Sequence, residues 1–110
     1  MEIIVSSIDQ FNEYLKSDRV VIDFNAKWCG PCRMLSPVLE EIAEEDKNLV
    51  VLKVDTDTFP ELASLYKVSA IPALFFIKKG EVVGNELGFM PKPRLVKIIE
   101  DKLGKGAVKK

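Results

Sequence analysis

The chain holds 110 residues, with 16 Lys plus Arg against 17 Asp plus Glu, a hydrophobic share of 47% and a formal charge of −1. That length fits one domain, that composition is far from the low-hydrophobicity signature of disorder, and a charge near zero gives no general attraction to nucleic acid or to an anionic membrane. Two cysteines and no histidine are too few for a disulfide scaffold and remove the commonest general base and metal ligand, which leaves chemistry to Cys, carboxylates, Lys, Tyr or backbone.

In chain order, residues 2–5 read as a short strand. Ser7 followed by Gln10 is a capping-box pair that opens a helix with Ile8, Phe11 and Leu15 on its apolar face. The β-branched run at 19–25 fits a strand buried on both faces. From Met34 onward Leu35, Val38, Leu39, Ile42 and Ala43 recur at the spacing of one helical face. Pro37 lies inside that helix and is expected to kink it, because proline removes a backbone hydrogen bond and clashes with the preceding turn. Glu40, Glu41, Glu44, Glu45 and Asp46 read as the solvated last turns of the same helix, although acids there oppose the macrodipole.

A third strand follows at 49–54. Thr58 with Glu61 offers a second capping box, with Pro60 in the first turn of a short helix through Leu65. Residues 73–77 and 81–83 flank Lys78-Lys79-Gly80 as a hairpin. Leu95, Val96, Ile98, Ile99 and Leu103 make the apolar face of a last helix, opened by Pro91 or Pro93. The order βαβαβαββα argues for an α/β fold with parallel pairing at the front and an antiparallel hairpin at the edge. The domain is expected to span 1–104. The lysine-rich end, from Lys102 on and with 105–110 as a short basic tail, reads either as a frayed terminus or as a weak docking patch for an acidic partner. No apolar run approaches the roughly 20 residues that span a bilayer and no secretory pattern opens the chain, so the sequence predicts a cytoplasmic protein without a membrane partner.

The segment that carries chemistry is Trp28-Cys29-Gly30-Pro31-Cys32, placed where a buried strand ends and an amphipathic helix begins. The spacing puts both sulfurs on one helical turn, within reach of a disulfide after small rotations. Closing so short a loop stabilises a fold by only about 2 kcal/mol, so the bond is a poor staple and is better read as one that opens and closes. The helix N-terminus favours thiolate over thiol at Cys29, the expected nucleophile. Pro31 suits the first turn, and Gly30 lets the backbone lie close to another chain. Cys32, one turn deeper, is the expected resolving thiol. A zinc site normally takes four ligands, and with no further Cys and no His no metal is expected.

Asp23 and Lys53 stand in otherwise apolar strands and are costly to bury alone. Period-2 alternation puts Asp23 on a face with Val21 and Asn25, and Lys53 on a face with Val51 and Asp55. If their strands are neighbours, the two form either a satisfied buried ion pair or a desolvated carboxylate with a raised pKa that exchanges a proton with Cys32. Pro72 after Ile71 marks either a strand boundary or a cis bond exposing backbone to a substrate strand.

Together, residues 23–32, Pro37, Lys53-Val54-Asp55, Ile71-Pro72 and Gly88, in one register from about Ile3 to Leu103, resemble the thioredoxin family. The resemblance implies a thioredoxin fold, a mixed five-stranded central sheet flanked by four helices. It implies a thiol-disulfide oxidoreductase that reduces disulfides in target proteins, with Cys29 attacking and Cys32 resolving. Asp23 would assist proton transfer and Lys53 would tune it. Trp28, Gly30, Pro31, Ile71, Pro72 and Gly88 would meet the substrate on an apolar rim, with Pro72 in cis. No bound cofactor is implied: electrons would arrive through a thioredoxin reductase, NADPH-dependent, and pass to targets such as peroxiredoxins and reductases, the chain acting as a monomer. The Gly-Pro dipeptide departs from the Pro-Tyr of glutaredoxins and the Gly-His of disulfide isomerases. Asn25 stands where the family often has an aromatic and Ala73 where Thr is frequent, departures that bear on substrate preference. Phe89-Met90-Pro91 either enlarges the rim or packs the start of the last helix. The alternative function is a binding subunit or holdase on the same fold, with redox turnover incidental.

Overall fold

The computed structural model describes residues 1–106, and its elements follow the expected order. They are β1 (Glu2–Ile4), α1 (Ile8–Tyr14), β2 (Arg19–Asn25), α2 (Gly30–Glu45), β3 (Val50–Asp55), α3 (Pro60–Leu65), β4 (Ala73–Lys78), β5 (Glu81–Leu87) and α4 (Lys92–Leu103). The strands form one sheet in the order β1-β3-β2-β4-β5, parallel across β1, β3 and β2 and antiparallel across β4 and β5. Residues 107–110 of the expected basic tail lie outside the described residues.

The β-branched run at β2 takes the central position, where both faces are covered. Val20, Ile22 and Phe24 point into a core shared with Phe11 of α1 and Leu62 of α3. Val21 points the other way, into a core built with Leu35, Leu39 and Ile42 of α2 and Leu95, Ile99 and Leu103 of α4. The alternation that buries Val21 therefore carries Asp23 and Asn25 toward α2, at the end of the sheet where that helix begins.

Local details differ from the sequence reading where another group competes for the same donor. Ser7 Oγ accepts the Gln10 N–H at 3.0 Å as expected, but Gln10 Oε1 returns its bond to Ser6 N–H at 2.7 Å, one residue upstream of a reciprocal box. The second box does not form. Phe59 caps α3 without a side-chain bond, because Asp55 at the end of β3 already gathers the Asp57 and Thr58 N–H groups on its Oδ1 at 2.8 and 3.1 Å. β3 is shifted one residue toward the C-terminus and β5 runs four residues further than expected.

The acidic end of α2 is also more than a solvated face. Asp46 accepts from Arg19 Nη1 at 2.9 Å, while Glu41 and Glu45 lie 3.0 and 2.7 Å from Lys92 Nζ at the start of α4. Arg19, only 4% exposed, also donates to the carbonyls of Leu103 and Gly104 at 3.2 and 2.7 Å. The guanidinium thus satisfies the last carbonyls of α4, groups a helix C-terminus leaves without intrahelical partners. These contacts tie the end of α4, through Gly104, to β2.

Candidate active site

The chain leaves β2 at Asn25 and enters α2 at Gly30, with Cys29 as N-cap and Pro31 in the first turn. Cys29 Sγ accepts the Cys32 N–H at 3.3 Å. Sulfur thus holds the place that a Ser or Asp oxygen usually takes at a helix start, where backbone donors and the positive end of the macrodipole favour negative charge. Cys29 and Cys32 are joined by a disulfide, their Cα atoms 5.3 Å apart. Both residues are only 5% exposed, so solvent access does not distinguish them. The hydrogen bond does, since its donor is aimed at Cys29 Sγ, where it would favour a thiolate once the disulfide opens.

Cys29, Cys32 and Ala26 form a small buried cluster against Ile71. Cys29 Sγ lies 3.9 Å from the Ile71 carbonyl oxygen, and the Ile71-Pro72 peptide bond is cis. The Pro72 carbonyl accepts the Gly88 N–H at 2.8 Å. Gly88 has φ +87°, a conformation open to glycine and strained for other residues. Trp28 is 69% exposed, and its indole Nε1 donates to Asp57 Oδ2 at 3.0 Å, which pins a large apolar face beside the cysteines. A Cβ at Gly30 would meet nothing within 4 Å, so the free chain does not itself require glycine there. Of Phe89-Met90-Pro91, Met90 is buried in the core of α2 and α4 while Phe89 stays exposed.

Asp23 and Lys53 are register partners across β2 and β3, yet they make no ion pair. Lys53 Nζ donates to Ser36 Oγ of α2 and lies 3.9 Å from Glu2 Oε2 of β1. The ammonium thus finds its partners on α2 and β1, although Glu2 Oε2 is itself buried and makes no hydrogen bond among the described residues. Asp23 is buried, its Oδ2 3.4 Å from Asn25 Nδ2. Its Oδ1 has no hydrogen-bond partner among the described residues. Burial therefore pushes the Asp23 carboxyl up to about 6, with Lys53 and Asn25 partly opposing the rise and Glu2 adding to it. A cavity of about 260 Å³ is lined by Asp23, Asn25, Cys32, Arg33, Ser36 and Lys53 among others, and so joins the carboxyl to the second cysteine.

Three residues of this arrangement were not singled out in the sequence. Ser36 had a signal, since it follows Cys32 by four positions on α2 and shares its face. Glu2 had a weaker one, the same-face alternation that sets it beside Lys53 once β1 pairs β3. Asp57 had none, because its bond to Trp28 joins two loops far apart in sequence.

The family model described as Thioredoxin matches residues 2–101. The thioredoxin of Chlamydia trachomatis serovar D is 45% identical over 95 residues, covering 86% of this chain and 93% of the relative. Among solved structures, a mutant thioredoxin from Halobacterium salinarum NRC-1 superposes with a TM-score of 0.86 at 35% identity, over 93% of this chain and 90% of the other. A chain from the structural study of thiol resolution in yeast mitochondrial 1-Cys peroxiredoxin via glutathione/thioredoxin systems has a TM-score of 0.80 at 30% identity, over 92% and 93% of the two chains. With the disulfide capping α2 in the expected fold, these similarities establish that the chain belongs to the thioredoxin family and is a thiol-disulfide oxidoreductase acting on protein disulfides.

Proposed function

We propose that the pair works as a two-step exchange with fixed roles. Cys29 thiolate attacks one sulfur of a target disulfide, forming a mixed disulfide and releasing the target's other sulfur as a thiolate that takes up a proton. Cys32 then gives its proton to Asp23 and attacks Cys29 Sγ. That step closes the Cys29–Cys32 disulfide and expels the second target thiolate, so two electrons pass from the dithiol to the target, the two target thiolates take their protons from solvent, and Asp23 returns the Cys32 proton to solvent. The observation that carries the reading is the asymmetry at the start of α2, where the Cys32 N–H is donated to Cys29 Sγ. Lys53 acts on Asp23 through its charge across the register pair rather than through contact.

Trp28, Gly30, Pro31, Ile71, Pro72 and Gly88 form the docking rim. Exposed Trp28 supplies apolar area, and the segment at Ile71 offers a backbone edge to an extended substrate strand. A thioredoxin reductase, NADPH-dependent, returns the electrons, and oxidised peroxiredoxins are among the targets, a partner class supported by the peroxiredoxin study in which a similar chain occurs. Because one chain supplies both thiols, the working unit is the monomer, and a dithiol that must be recharged suits the reducing cytoplasm. Reduction of insulin disulfides with dithiothreitol as electron source tests the reading. Catalytic turnover is the expected result, and absence of turnover by the folded protein overturns it.

A further inference from the structure

Asn25 stands where the resemblance leads one to expect an aromatic side chain, and its surroundings give it a different task. Its Nδ2 donates to the Asp23 carbonyl at 3.0 Å and lies 3.4 Å from Asp23 Oδ2. The Asp23 carboxylate has no other hydrogen-bond donor among the described residues. The charged and titratable groups around it are Lys53 from β3, Glu2 from β1, Cys32 and Arg33 from α2, and Lys27 from the loop after β2, while β4 sets Leu74 opposite it. None of these donates to it, since Lys53 is bonded to Ser36 and Arg33 donates to the Lys27 carbonyl at 2.8 Å. Asp55, the register partner of Asn25, turns its Oδ1 to the N–H groups of Asp57 and Thr58, and the amide bonds to Asp23 instead.

We propose that Asn25 is a positioning residue for Asp23, a residue that lines the same cavity as Cys32: its amide clamps Oδ2 of the carboxylate from within β2 and leaves the buried Oδ1 without a hydrogen-bond partner among the described residues. A donor to one carboxylate oxygen favours the ionised form and fixes the carboxyl plane, so that the second oxygen is the one available to take a proton. A phenylalanine ring at this position would supply no donor to the buried carboxylate. The proposal deepens the exchange described above and rests on Asp23 serving the Cys32 step.

The test is a titration of the Asp23 side-chain carbon by NMR in the oxidised protein, comparing wild type with Asn25→Leu, which removes the donor without admitting water. The midpoint is expected to rise by about 0.5 to 1 pH unit, the size expected for losing one long hydrogen bond to a charged acceptor. Asn25→Gln, which keeps a donor, should fall between the two. If Asn25→Leu does not fold, Asn25→Met removes the donor with an unbranched side chain. A midpoint unmoved or lowered in a folded donor-free variant overturns the proposal. The single-turnover rate of mixed-disulfide release should lose its acid limb at correspondingly higher pH, slowing about 1.5- to threefold at pH 6.5 as the ionised fraction of Asp23 falls. A raised midpoint with an unmoved rate profile upholds the clamp and overturns Asp23 as the proton acceptor, which separates the two claims.

Discussion

Lys53 sits opposite Asp23 in the β2–β3 register, but its ammonium is bonded to Ser36 and leans toward Glu2. The nearest cation therefore lowers the Asp23 pKa from a distance without neutralising it, and burial prevails. Each group around the carboxyl is thus a handle on its titration.

Ser36→Ala removes the acceptor that holds Lys53 on α2. The freed ammonium gains by moving toward the carboxylate, and an opposite charge at closer range favours the ionised form. The Asp23 midpoint should fall in the variant, by about 0.5 pH unit or more. NMR titration of the oxidised protein measures it, and an unchanged midpoint would mean that Ser36 does not divert the lysine.

Asp23→Asn should stabilise the protein at neutral and alkaline pH. The folded pKa, about 6 against an ordinary 3.8, is raised, so ionised Asp23 costs the folded state while protonated Asp23 does not. This residue's favourable contribution is fully present below pH 3.8 and is lost as pH rises through 6. The elevation corresponds to about 3 kcal/mol once both states are ionised. Urea unfolding at pH 8 and pH 4 should show the variant ahead of wild type by about that amount at the higher pH and level with it at the lower. A variant less stable than wild type at pH 8 would contradict the burial argument. The same substitution should slow mixed-disulfide release near neutral pH, through loss of the proton acceptor.

Arg19→Met leaves the carbonyl of Gly104 without its donor and Asp46 Oδ1 with only the Asn48 N–H at 3.3 Å, while Leu103 retains a bond from Lys78 Nζ at 3.1 Å. Removing one partner of a largely buried ion pair costs about 3 kcal/mol or more. Chemical denaturation should record that loss, and hydrogen exchange should show α4 opening ahead of the sheet. A loss below about 1 kcal/mol would show that the clamp contributes little.

The parts of the fold legible in the sequence were those governed by local pattern. The run at β2 announced burial on both faces, and the Cys pair at a strand-to-helix junction announced its chemistry, because cap position and helix direction follow from a few adjacent residues. Alternation placed Asp23 and Lys53 on one face correctly. It could not show where the ammonium would go, which depends on Ser36 of α2 and Glu2 of β1 meeting at one end of the sheet. Arg19 read as the first residue of a strand, and its partners at Leu103 and Gly104 lie 84 and 85 residues away. The capping box at Thr58 failed because Asp55, three residues earlier, claimed the same N–H. Long-range polar partners decide such cases, and hydrophobic periodicity carries no record of them.

The fixed roles of the two cysteines are tested most directly by incubating Cys29→Ser and Cys32→Ser separately with an oxidised protein substrate and resolving the products by mass spectrometry without reductant. The account predicts that Cys32→Ser accumulates a mixed disulfide through Cys29 while Cys29→Ser accumulates little. Equal trapping by both variants, or trapping by Cys29→Ser alone, would contradict it.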